Sequence, residues 1–123
     1  MKQEDKELLL KDICARLPYG VYCYLSICTH TPYKLYAVFN KNYTRDIFDF
    51  ETLRINPDII KVKPYLRPMS SMTDEEHEEL MKYIGNTQNV IDFYNSHHLD
   101  YRGLIPKCLA LEAPEGMYNN ISK

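Results

Sequence analysis

Residues 64–84 read PYLRPMSSMTDEEHEELMKYI, and the chain changes character across them. Pro64 and Pro68 each fix their own φ and push the preceding residue toward extended backbone, so the first part is rigid, extended chain. Thr73-Asp74-Glu75-Glu76 then has capping-box spacing: the Thr73 hydroxyl can accept from a first-turn amide, and Glu76 can reach back to the Thr73 N–H. Ser70 and Ser71 are rival caps a few residues upstream. Asp74, Glu75 and Glu76 stand at the positive end of the helix dipole, which favours them. His77, Leu80, Met81 and Ile84 fall at i, i+3, i+4, i+7 and predict the packed face of the helix. Gly85-Asn86 is its stop signal.

Upstream of this helix the chain reads as strands, downstream as helices. Residues 3–17 are the exception, an N-terminal helix with Leu10, Ile13, Cys14 and Leu17 as its apolar stripe, ended by Pro18-Tyr19-Gly20. Residues 21–28 (VYCYLSIC) alternate, with Val21, Cys23, Leu25 and Ile27 on one side and Tyr22, Tyr24, Ser26 and Cys28 on the other. A turn is expected at 29–32, strands at 33–39, 46–53 and 59–63, and turns at 40–42 and 56–58. Ile47 and Phe50 are out of phase with each other, which suggests a bulge. Residues 88–98 predict a last helix, with Val90, Phe93, Tyr94 and His97 on one face. The tail holds one short turn or strand around 107–112.

The predicted fold is therefore α+β: an N-terminal helix, a four-to-five-stranded curled antiparallel sheet or small barrel, two C-terminal helices and an irregular tail. Sm-like and Src-homology-type barrels are the architectural analogues, and the analogy carries no function. A length of 123 residues fits one domain, with residues 1–67 holding the first helix and the β part, and 68–123 the helical part and tail.

Composition excludes several classes. The charged start MKQEDKELLLKD is not a signal peptide, and no apolar run approaches the ~20 residues of a membrane span, so a cytoplasmic protein without a membrane partner is expected. Cys14, Cys23, Cys28 and Cys108 lack paired metal spacing and read as reduced, buried thiols. A corner of Cys23, Cys28 and His30 fails as a metal site, because Cys23 and Cys28 face opposite ways along a strand and a fourth ligand is missing. The four glycines are isolated, so there is no phosphate-cradling loop and no nucleotide cofactor. No cofactor or metal is expected. His97-His98 beside Asp100 and Tyr101 is the most catalytic-looking cluster, yet the two imidazoles diverge by about 100° on a helix and no nucleophile adjoins them. His77, on its helix stripe, reads as a core or boundary residue. No catalytic residue is assigned, and the chain is not expected to be an enzyme.

The chain carries eleven tyrosines and no tryptophan, and its charge is split. Residues 34–67 hold seven basic and four acidic side chains; residues 73–100 hold one basic and seven acidic. The basic half interleaves Tyr33, Tyr36, Tyr43 and Tyr65 with Lys61, Lys63 and Arg67, and the candidate contact residues are Tyr33, Tyr36, Tyr43, Lys61, Lys63 and Arg67. Aromatic rings beside cations suit a protein partner through anchor residues, or a single-stranded nucleic acid through stacking and phosphate contacts. The first is the leading expectation, because the chain as a whole is acidic. Oligomeric state is left open.

KPYLRPMSSMT (63–73) and HHLDYRGLIPKCLALEAPEGMY (97–118) also resemble a family of small proteins from gut Bacteroidales bacteria and their phages and mobile elements. The resemblance runs from ELLLKDICARLPYGV to the tail and is weakest over 22–58. The family has no assigned function, so it implies a setting and no site residues. Its members tend to have Gly at the position of Cys108, which argues against a nucleophile or ligand there.

Overall fold

The computed structural model describes residues 2–41, 45–50, 53–57 and 61–118, without side chains at 28–30, 40–41 and 45–46. Helix α1 (Gln3–Arg16) opens the fold, built from good helix formers. Its buried stripe is Leu9, Asp12, Ile13 and Arg16, so the expected stripe of Leu10, Ile13, Cys14 and Leu17 is turned by part of a turn. The reason is electrostatic. Asp12 and Arg16 pair at i, i+4 with Nε–Oδ2 at 2.8 Å and are both fully buried, and the pair carries the charge inside. Pro18 and Gly20, the latter at φ +74°, end the helical chain.

Among the described residues, six strands follow the spatial order β4-β3-β2-β1-β5-β6. They are β1 (Tyr22–Leu25), β2 (Cys28–Lys41), β3 (Arg45–Phe50), β4 (Arg54–Ile55), β5 (Val62–Leu66) and β6 (Leu111–Glu112). All pairings are antiparallel except β5 with β6, where Tyr65 lies opposite Leu111 in parallel register. The sheet is thus mixed and open, with β4 and β6 as its edges, and does not close into a barrel. The expected turn at 29–32 is strand instead. The chain reverses at Ser26-Ile27, where Leu25 meets Cys28, and β2 runs on through Pro32. Among the described residues the pairing of β2 with β3 begins at Leu35, beyond Pro32.

Helix α2 (Asp74–Met81) starts at Thr73 with the full capping box: Glu76 N–H donates to Thr73 Oγ1 at 3.2 Å, and Thr73 N–H donates to Glu76 Oε1 at 2.9 Å. Its inward face is Glu76, Glu79, Leu80 and Tyr83. His77, Met81 and Ile84 point outward, which corrects the expected packed stripe: the capping glutamate is drawn inward and rotates the apolar positions to solvent. Helix α3 (Thr87–Ser96) starts at Asn86, whose side chain accepts from Asn89 N–H.

The main core lies between α1, the inner face of the sheet and the tail. Leu9 and Ile13 pack with Val21, Cys23, Leu25, Leu35, Phe50, Leu66, Leu104 and Leu109. Each such side chain contributes about 2 kcal/mol of burial. Cys23 is buried, but Cys14 and Cys108 are exposed, so the expectation of buried thiols fails for those two. Cys14 is excluded from the core by the rotation of α1, and Cys108 sits on an exposed turn at φ +61°.

Candidate interaction face and the adjoining cleft

Alternation along β1 and β5 sorts the side chains by face. Val21, Cys23, Leu25, Val62, Pro64 and Leu66 are buried, which leaves Tyr22, Tyr24, Lys63 and Tyr65 on the outer side. Directly paired residues share a face, and Tyr22 lies opposite Lys34 and Tyr24 opposite Lys63. Tyr36 follows Lys34 outward by alternation, and a register shift between Leu35 and Ala37 then reverses the phase, with Val38 against the core and Phe39 outside. Tyr36 is 53% and Phe39 39% exposed. Each has a cation over its ring, Lys34 Nζ at 5.8 Å and Arg54 Cζ at 5.7 Å. The outer face therefore carries one run of aromatic rings and cations from Phe39 and Arg54, through Tyr36, Lys34, Tyr22 and Tyr24, to Lys63 and Tyr65.

The six residues singled out from sequence are divided by this geometry. Tyr36 and Lys63 belong to the outer face, and Lys61 is exposed two residues before Lys63. Tyr33 is on the inner side, half-buried and edge-on to Phe50 at 6.3 Å. Arg67 is occupied by Glu76, with Nη1–Oε2 at 2.7 Å and Nη2–Oε1 at 2.6 Å. Tyr43 lies outside the described residues, as do the side chains of Cys28 and His30. Tyr22, Tyr24, Phe39 and Arg54 were missed. The alternation of residues 21–25 already separates the two tyrosines from the core positions, whereas Phe39 and Arg54 depend on the bulge.

A cleft of about 700 Å³ adjoins this face, lined by Arg67, His97 and Tyr118 and by six glutamates: Glu75, Glu76, Glu78, Glu79, Glu112 and Glu115. Glu76 is its hub. Oε1 accepts from Thr73 N–H and Arg67, and Oε2 accepts from Arg67 and faces His97 Nδ1 at 2.9 Å. The Arg67 hydrogen bonds hold the Glu76 carboxyl at about 2, well below its usual value. His97 Nε2 faces Glu79 at 3.2 Å, and the imidazole packs on Phe93 with centroids 4.3 Å apart. The ring can donate to both carboxylates only when protonated. Every strong acceptor position of Glu76 is in use, so the group braces β5, α2 and the end of α3 and has no lone pair to spare as a base. His97 also lines a shallower groove with Tyr19, Tyr22, Lys34 and Tyr36, which joins the acidic cleft to the tyrosine face.

His98 diverges from His97 as expected and is fully buried, at φ +59°. Its ring stacks on Tyr118, whose hydroxyl accepts from Tyr22 N–H and donates to Tyr65 C=O. Among the described residues no cluster of His, Cys, Asp and Glu could hold a metal ion, and no helix is long and apolar enough to cross a membrane. No family model, curated protein or solved structure matches the chain.

Proposed function

We propose that the protein is a small intracellular interaction module that binds another protein through the outer face of its sheet, and that it is not an enzyme. The observation that carries this reading is the pair of exposed rings, Tyr36 and Phe39, each already partnered by a cation. Binding energy at protein interfaces concentrates in aromatic and arginine anchors of this kind. The six glutamates of the adjoining cleft support a protein over a polyphosphate partner, since they repel phosphate along the joined grooves. The saturated hydrogen bonding of Glu76 argues against acid–base chemistry in the cleft. The resemblance supplies a setting in a phage or mobile element, acting in the cytoplasm.

A second reading, a nucleic-acid-binding accessory protein, draws on the same stacked cations, which also suit unpaired bases. Capture from host lysate supplemented with untagged copies of the chain, with and without nuclease and across a salt series, tests both. In the first reading Tyr36→Ala with Lys63→Ala abolishes capture, leaves the melting temperature nearly unchanged, and nuclease has no effect. Capture that vanishes with nuclease and falls steeply with salt favours the second. Capture unaffected by the double change rejects the sheet face as the contact surface.

A further inference from the structure

Two exposed surfaces of this chain complement each other. The outer sheet face offers Tyr36 and Phe39, with Lys34 and Arg54 over their rings. Helix α2 offers His77 and Met81 at i, i+4, and the turn that follows adds Ile84, with Met81 68% and Ile84 62% exposed. That surface is flanked by exposed Asp74, Glu75 and Glu78. Lys82 lies between Met81 and Ile84, and Asp49 lies opposite Arg54 on the sheet face, so the match is one of net charge: three acids against one base around the apolar side chains, and two bases against one half-buried acid around the rings. The exposures show that the two do not cover each other within one molecule, which leaves both open to a second one.

We propose that the occupant of the tyrosine face is a second copy of the chain, which seats Met81 at the end of α2 and Ile84 of the following turn on Tyr36 and Phe39. The inference rests on the sheet-face reading above and names its partner. The contact is head-to-tail: each copy uses one surface to give and the other to receive. Such an interface closes into a ring or propagates, and does not stop at a two-fold dimer. Acid–base matching orients the encounter, and the buried apolar side chains hold it.

The test uses two variants of the whole chain, one with Met81→Glu and Ile84→Glu, the other with Lys34→Glu and Tyr36→Asp. All four positions are exposed, and circular dichroism melts establish that each variant folds; Met81→Ser and Tyr36→Ser serve if either does not. Sedimentation velocity is run on wild type, on each variant and on their equimolar mixture. Wild type should gain mass with concentration, beyond two copies. Each variant alone should remain monomeric, and the mixture should form a 1:1 dimer that grows no further, because only one intact interface remains. Wild type that stays monomeric, a mixture that stays monomeric, or an assembly that either variant leaves intact overturns the proposal. If the proposal fails while Tyr36→Ala with Lys63→Ala still abolishes capture from lysate, the sheet face serves a different protein. If that capture also persists, the sheet-face reading fails with it.

Discussion

His98 lies flat against Tyr118, with ring centroids 3.7 Å apart and planes 16° from parallel. The stack pins the tail to the end of α3, and the Tyr118 hydroxyl extends the tie to β1 and β5. Tyr118→Phe keeps the stack and strands the Tyr22 N–H, so it should cost about 1–2 kcal/mol in urea unfolding. Tyr118→Ala removes the ring as well and should cost about 3–5 kcal/mol. Equal costs for the two changes would show that the ring contributes little.

Burial, reinforced by the Arg16 charge, holds His98 neutral down to about 3, against 6.5 for a free imidazole. Between those values the unfolded chain binds the extra proton, so stability falls as pH drops from 6.5 toward 3. Glu76 adds a second decline, from its ordinary 4.5 down to about 2, where the unfolded carboxyl is protonated first. His98→Asn, chosen because asparagine accepts the left-handed backbone, should be less stable than wild type near neutrality. The gap should then close by about 1 kcal/mol per pH unit on acidification below 6.5. A gap that stays constant down to pH 4.5 would place the proton elsewhere.

Thr73→Ala removes one half of the capping box and should cost about 1 kcal/mol. Glu76→Ala removes the other half and leaves Arg67 without its carboxylate, so a loss of about 3 kcal/mol is expected. Ser71 accepts from Arg67 Nε in an exposed position, and Ser71→Ala should change stability by less than about 0.5 kcal/mol. Thermal unfolding of the three variants ranks them, and a costly Ser71→Ala beside a silent Thr73→Ala would move the helix start upstream.

Asp12 accepts from Arg16 and from Arg102, and Arg16 also donates to Leu99 C=O. Asp12→Ala strands a buried guanidinium and should cost about 3–5 kcal/mol. Asp12→Leu combined with Arg16→Met should cost less than Asp12→Ala alone, because the two charges leave together. A double change costlier than the single one would mean that the Arg16 contact with Leu99 outweighs the ion pair.

The capping box over Thr73 and Glu76, the extended chain at Pro64, and the α+β order were legible because each rests on local chemistry. The strands at 33–39 and 46–53 were legible as strands, but the first was not in extent, since pairing with β1 carried β2 back to Cys28. The faces of α1 and α2 were misread for one reason: periodicity counts apolar residues as inside. Here Asp12, Arg16 and Glu76 gained partners distant in sequence, Arg102, Leu99 and Arg67, and took the inner positions. The parallel pairing of β6 has no local signal at all. Of the candidate contact residues, Tyr36 and Lys63 could be reached by alternation, whereas Arg67 looked available only because its partner lay nine residues on.

The main core draws nothing from residues 67–103, so α2 and α3 are docked on the domain instead of forming its centre. Phe93 and Leu99 are buried, but the grip on α2 itself is mostly ionic, through Glu76, Arg67 and His97. Such an element can swing free while the sheet and α1 remain folded. Amides of α2 should then exchange with solvent well ahead of those in β1 and β5, and faster still as salt loosens the ionic grip. On that expectation α2 is a charge-fastened flap on a stable plate, and it carries Met81 outward.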